Sequence, residues 1–338
     1  MKILFFLSLF IIFNFCSSNK NIEPRIIFEK NKRTYIIGDT INLKILNNIE
    51  YDSIIFFLDK TPIKLPYYLS DINLGDKKVK AQIYTDEKIK SITENIRVLS
   101  RYKPKLYSYK ILNEYPHDPE AYTQGLEFYY DTLIESTGLI NKSSIRKINY
   151  KNGKKYQIKL INKDFFGEGV TILNDTIYQL TWKNNLGIVY KNNFQIIRTF
   201  DYNKSKEGWG LCNDGEFLYK SDGSSKIWKI DRKNFNEISY VEVTTDKTIL
   251  KKINELEWVN GKIYANTYQF NKDVVLIIDP LSGQVEGVID FSGLKSKVNQ
   301  TPSLNVFNGI AYNKNKNTFF VTGKNWSKLF EVSIHEKN

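Results

Sequence analysis

From residue 106 to near its C-terminus the chain repeats one pattern of apolar and polar positions, at a spacing of roughly 45 residues. Each copy is a short apolar run, a polar turn, and a second apolar run that ends on Thr or Ser plus one more residue. The copies open at Gln124, Glu168, Trp209, Asn254 and Asn308. Their turns are Tyr130-Asp131, Asn174-Asp175, Asp214-Gly215, Asn260-Gly261 and the longer 313–317, all good hairpin chemistry. Further alternating runs lie between copies, at 144–148, 195–200, 226–230 and 274–278. Four strands in each of five repeats, with no helical period, predict an all-β chain whose 106–334 segment is a five-bladed β-propeller. A solenoid would need polar caps at its ends, and the array has none. A propeller must also join its ends to remove sheet edges, so 106–112 are expected to pair with the last repeat.

Before the repeats, short alternating runs at 34–37, 40–45, 53–58, 78–84 and 91–99 are separated by turn residues such as Gly38-Asp39, Asn47-Asn48, Asp59-Lys60 and Gly75-Asp76. They predict a small immunoglobulin-like β-sandwich over 24–99, read as a spacer or docking module, with 100–105 as a linker. At the start, Lys2 precedes an apolar run over 3–13 that is too short to span a bilayer. This is a signal peptide over 1–15. Cys16 and the polar residues 17–20 resemble a bacterial lipoprotein signal, in which the Cys is lipidated and becomes the first mature residue, with 16–23 as the tether. Residues 13–15 lack the small side chain usual before such a Cys. The expected location is therefore outside the cytoplasm, on a membrane through a lipid anchor, in the periplasm or at the cell surface.

Composition agrees with β structure: of 338 residues 14% are aromatic, with 22 Tyr and 21 Phe. The net charge of +12 raises the question of nucleic acid. The lysines, however, are scattered among Asn and Asp in loops and form no basic helix or stripe, so no nucleic-acid partner is expected. Cys16 and Cys212 are the two cysteines, and no disulfide is expected. Cys212 replaces an apolar strand residue and reads as buried.

Stacking the copies produces two columns. The first holds Gln124, Glu168, Trp209, Asn254 and Asn308; the second, near the end of each hairpin, holds Gly138, Trp182, Gly223, Tyr268 and Lys324. The innermost strands of a propeller line its central channel, so both columns should ring one mouth of it. Ordinary core positions would repeat Val, Ile or Leu. These hold one acid, one cation, amides and large rings, which is the make-up of a concave binding site. Glu168 stands out, between Gly167 and Gly169 and behind Phe165 and Phe166. A carboxyl beside apolar rings is costly to ionise, so its pKa should rise to where it can both give and take a proton.

The run from Tyr115 to Leu126, YPHDPEAYTQGL, resembles the opening motif of the plant and bacterial glutamine cyclotransferases. The resemblance continues through FGEG at 166–169, EGWGL at 207–211, INELEW at 253–258, NGIAY at 308–312 and TGKNW at 322–326, and covers about 106–333. It implies a five-bladed propeller that cyclises N-terminal glutamine of peptides to pyroglutamate with loss of ammonia, without cofactor or metal. By motif, it assigns catalysis to Glu168, Lys324 and Asn254, and substrate binding to Gln124, Tyr122, Phe166, Trp182, Trp209 and Tyr268. Tyr122 and Tyr268 depart from the family's usual Phe and Trp.

In such a reaction one carboxylate within reach of both nitrogens would move the proton. Lys324, or the amides of Asn254 and Gln124, would meet the oxyanion. An aromatic box would hold the folded-back side chain. Plainer readings stand beside these. The two tryptophans could be core, Lys324 a loop lysine, Asn254 and Gln124 turn formers, and His117 a structural bond to backbone. The rival from another class is a non-catalytic propeller lipoprotein that binds peptide termini or a partner protein.

Overall fold

Turn chemistry and alternation set the hairpins where the repeats place them. In the computed structural model, which describes residues 23–46, 50–86 and 88–337, Asn174 and Asp175 both take positive φ, as do Asn260 and Gly261. That is the backbone a tight two-residue hairpin demands. Segment 1–22, with Cys16, and the Asn47-Asn48 turn lie outside the described residues.

The chain is all-β, its only described helices being single 3-10 turns. Three antiparallel four-stranded sheets follow one another: Thr123–Tyr129 to Lys154–Leu160, Gly167–Leu173 to Ile196–Asp201, and Leu211–Asn213 to Glu237–Glu242. An eight-stranded sheet completes the array. In it the four strands from Ile253–Val259 to Val285–Asp290 are joined to the last three, Phe307–Asn313 to Lys328–Glu336, by the strand Lys105–Pro116. That strand runs antiparallel to Lys328–Glu336 and parallel to Val285–Asp290 over its first three residues. The pairing expected of 106–112 is therefore made, and the chain's ends are tied together.

The first strands of successive repeats touch in order. Thr123–Tyr129 lies against Gly167–Leu173, and contacts pass through Leu211–Asn213, Ile253–Val259 and Phe307–Asn313 back to Thr123–Tyr129. Glycine permits this approach. A Cβ on Gly169 would sit 2.5 Å from the Leu211 nitrogen, and one on Gly210 2.0 Å from the Asn254 oxygen. The fourth repeat carries Glu255 instead. Its carboxylate accepts N–H bonds from Leu126 (3.3 Å) and Ile310 (3.1 Å), stitching two neighbouring strands across the axis. Glu257 and Glu127 do the same with the amides of Tyr312 and Ile172. Burial raises the pKa of all three acids, that of Glu127 to about 7. Apolar clusters fill the gaps between sheets, such as Ile134, Ile145, Val170 and Ile177 between the first two. Each such side chain contributes about 1.5–3 kcal/mol on burial.

The N-terminal segment forms a five-stranded sheet, ordered Thr34–Ile36, Ile89–Leu99, Gly75–Tyr84, Ser53–Leu58 and Thr61–Ile63, with two short two-stranded ladders. One apolar core, including Ile26, Ile41, Val79 and Val98, lies among them. The run read as 40–45 breaks at Asn42, and its halves, Thr40–Ile41 and Leu43–Leu46, join different ladders. This module is fixed to the repeats by backbone and carboxylate. The Asp76 N–H donates to Glu242 (2.7 Å), Leu74 N–H to the Ser282 carbonyl (3.2 Å), and Ser100 N–H to that of Thr245 (3.1 Å).

Candidate functional site

In four repeats the pairing of the first strand slips at the same place: between Thr123 and Gly125, Gly167 and Val170, Ile253 and Leu256, and Phe307 and Ile310. The first residues of these bulges are Gln124, Glu168, Asn254 and Asn308, all buried. A bulge re-aims a side chain without ending the strand. This is how four repeats each bring one polar group to a shared place. The second column locks the geometry. The N–H of Gly138, Trp182, Tyr268 and Lys324 donates to the carbonyl of Tyr122, Phe166, Lys252 and Val306, at 2.8–3.0 Å. Each acceptor lies two residues before a bulged one.

Glu168 is 4% exposed. Gln124 Nε2 donates to its Oε1 (3.2 Å), and Asn308 Nδ2 donates to Gln124 Oε1 (3.5 Å) and to the Thr123 carbonyl (3.0 Å). Its backbone is held from behind. Ser136 donates to the Glu168 carbonyl, Gln179 Nε2 donates to Ser136 Oγ (2.8 Å), and the Tyr190 hydroxyl donates to Gln179 Oε1 (2.8 Å). Ser221 likewise donates to the Asn254 carbonyl at 2.7 Å. Asn254 Oδ1 is buried and has no hydrogen-bond partner among the described residues. An orphaned acceptor in a recess is a place for a ligand N–H.

Burial drives the Glu168 pKa well above the carboxylate range; the Lys324 charge pulls against this and Glu207 adds to it. Burial also pulls Lys324 down to about 8, opposed by Glu168. The lysine is 3% exposed, its Nζ 4.7 Å from the Tyr122 ring centre and 5.1 Å from that of Tyr268. Each group senses the other's charge. The Tyr122 hydroxyl is pushed up to about 12, by burial first and then by Tyr268 and Glu168.

Above these polar groups half-buried rings form a rim. Tyr122 meets Phe166 edge-on (6.1 Å between ring centres), Phe166 meets Trp182 (5.5 Å), and Trp209 meets Tyr268 (5.9 Å). Glycines of the second column make room. A Cβ on Gly138 would strike the Phe166 ring at 2.3 Å, and one on Gly223 the Trp209 ring at 2.5 Å. The gap between the two tryptophans is bridged by Glu207, whose Oε2 accepts both indole N–H groups, from Trp182 at 2.8 Å and Trp209 at 2.9 Å.

These contacts and the mutual influence of Glu168 and Lys324 bring together eight of the nine residues singled out as catalytic or binding, and Asn254 takes the matching bulge position in its own repeat. Glu207 was missed, although aligning the repeats two residues earlier puts it in the column of Tyr122 and Phe166. Ser136, Gln179 and Ser221 were missed because their work is done through backbone atoms of other repeats. His117 is structural: its ring nitrogens bond the Trp326 carbonyl (2.8 Å) and Glu135 (3.0 Å), tying the first repeat to the last. Cys212 is buried in the sheet core.

A family model for glutamine cyclotransferases matches residues 79–334. The chain belongs to this family. The match starts inside the Gly75–Tyr84 strand, so it reaches further toward the N-terminus than the 106–333 span read from motifs. Among relatives, glutaminyl-peptide cyclotransferase of Arabidopsis thaliana is 36% identical over 231 residues, 67% of this chain and 71% of that protein. The crystal structure of Myxococcus xanthus glutaminyl cyclase is 34% identical, with a TM-score of 0.65, over 70% of this chain and 100% of that one. The residues matched by the family model, 79–334, take in every repeat and the whole rim.

Proposed function

We propose that this chain cyclises the N-terminal glutamine of peptides to pyroglutamate and releases ammonia. The observation that carries the reading is Glu168, a buried acid of raised pKa within reach of the charge of the buried Lys324. The α-amine nitrogen attacks the side-chain amide carbon, a new C–N bond closes the ring, and the old C–N bond breaks. Glu168 takes the proton the amine must lose and returns it to the leaving nitrogen. Such help is typically worth ~10²–10⁴-fold. Lys324 and the Asn254 side-chain NH2 donate to the oxyanion between these steps, Asn254 Oδ1 is left to accept a substrate N–H, and Trp182, Trp209, Phe166, Tyr122 and Tyr268 hold the side chain folded back on the amine. The scaffold is read as a five-bladed propeller over 106–334, behind an immunoglobulin-like module over 24–99 and a linker over 100–105. Its support is the circuit of touching first strands.

Mass spectrometry of a Gln-initiated peptide incubated with the protein tests the reading. Loss of the mass of one ammonia is expected. An unchanged peptide that nevertheless binds would favour the rival, a propeller that only captures peptide termini.

Glu207 acts on the same chemistry in two separable ways. Glu207→Gln keeps an acceptor for the indoles, so KM should stay near wild type. Removing the charge that helps raise Glu168 should move the acid limb of kcat/KM to lower pH. Glu207→Ala should in addition raise KM several-fold as the tryptophans lose their anchor. A Gln variant whose acid limb does not move would remove the electrostatic role.

The lipoprotein reading of 1–23 is carried forward from Cys16 and the apolar run before it. The mature chain should begin at Cys16 and sediment with membranes, and Cys16→Ser should release it. A soluble mature form starting well beyond Cys16 would leave export and remove the anchor.

A further inference from the structure

Trp209 has a second side. Its ring meets Tyr268 at the rim, and beside it opens a hollow of about 500 Å³, walled by Lys204, Lys206, Asp222, Lys226 and Trp228. A further hollow of about 300 Å³ shares Lys204 and Trp228 with the first and is closed on its far side by Asp59, Asn73 and Lys77 of the N-terminal module. That wall is held in place by the Asp76–Glu242, Leu74–Ser282 and Ser100–Thr245 bonds.

We infer that the two hollows form one groove that receives the polypeptide downstream of the N-terminal glutamine, and that the groove favours acidic residues there. The inference rests on the cyclisation reading, because the glutamine must sit inside the rim for the chain behind it to leave past Trp209. Continuity gives the path: rim, Trp209, Trp228, then the N-terminal module. Charge gives the preference. The groove's acids are committed: Glu207 to two indoles, Asp222 to the Trp228 N–H (2.7 Å) and to Ser224, and Asp59 to Lys77 (3.8 Å). Apart from Lys77, its lysines are not. Among the described residues Lys204, Lys206 and Lys226 make no ion pair. Lys204 Nζ donates to a backbone carbonyl, and Lys226 lies over the Trp228 and Tyr240 rings (5.3 and 4.1 Å). An acidic side chain would find three lysines, Lys204, Lys206 and Lys226, against the two carboxylates of Glu207 and Asp222, which are turned to their indole donors, beside the rings of Trp209 and Trp228. The N-terminal module then serves as the far wall of the substrate surface.

The test is ammonia release by the full chain from Gln-initiated hexapeptides carrying Glu, or Lys, at their third and fourth positions. At low salt kcat/KM should favour the acidic peptide about ten-fold, the sum of several exposed pairs, and the gap should narrow as salt is added. Lys206→Glu with Lys226→Glu should close or invert the gap, and Lys77→Glu should shrink it. Equal kcat/KM for both peptides in the wild-type protein would overturn the groove and leave cyclisation standing, since both would still be cyclised. No ammonia from either peptide would overturn the cyclisation reading, and the groove with it.

Discussion

Glu168→Gln should lower turnover on a Gln-initiated peptide by at least ~10²-fold, with KM and Tm close to wild type. The substitution is nearly isosteric, and its amide oxygen can still accept from Gln124 Nε2, now at 3.2 Å from the carboxylate. The bulge between Gly167 and Val170 is fixed by backbone bonds, and Ser136 grips the Glu168 carbonyl rather than its side chain. Architecture and binding are therefore spared. What the amide cannot do is pick up the amine's proton and deliver it to the departing nitrogen, a loss felt only in the transition state. Steady-state ammonia release and a melting curve check both halves. Near-wild-type turnover would make the carboxylate structural and pass the proton to another group.

Lys324→Ala is expected to cost ~10²–10³-fold in kcat, the range for removing one donor to a developing oxyanion. Burial that holds this lysine near 8 adds a pH signature. It is charged below about 8 and neutral above, so its stabilisation of the oxyanion is present at lower pH and lost as pH rises through that value. The substrate amine runs the other way, becoming free to attack as pH climbs through about 8. The wild-type rate should therefore peak near 8 and fall beyond it, and Lys324→Ala should lose the alkaline fall along with most of the rate. An alkaline limb unchanged in the variant would assign that limb to a different group.

The repeats were readable because each copy solves the same problem with the same parts: a strand, a Gly, Asn or Asp turn, and a polar or aromatic residue at one fixed position before the strand's apolar run. The columns of Gln124, Glu168, Asn254 and Asn308, and of Trp182, Tyr268 and Lys324, follow from that regularity. Closure through Lys105–Pro116 was readable too, since an unpaired edge has to go somewhere. Glu207 was not, because its column holds Tyr122, Phe166, Lys252 and Val306, with no residue type in common, and its role exists only once two indoles from different repeats meet. Glu127, Glu255 and Glu257 look solvent-facing in an alternating strand. Glu255 and Glu257 are buried, and Glu127 half-buried, because they accept backbone amides of neighbouring strands. The contact of Gly75 and Asp76 with Glu242 joins positions far apart in the chain, which no local pattern encodes.

The account turns on a buried acid that moves a proton, and the pH dependence of kcat/KM for ammonia release from a Gln-initiated peptide tests it most directly. Besides the limb of the substrate amine near about 8, the wild-type profile should show a second acid-side ionisation well above the ordinary carboxylate range, displaced there by the burial of Glu168, and the residual activity of Glu168→Gln should keep the amine's limb and lose the second. A profile with the amine's limb alone, a second ionisation at an ordinary carboxylate's pH, or one that Glu168→Gln leaves in place, would contradict it.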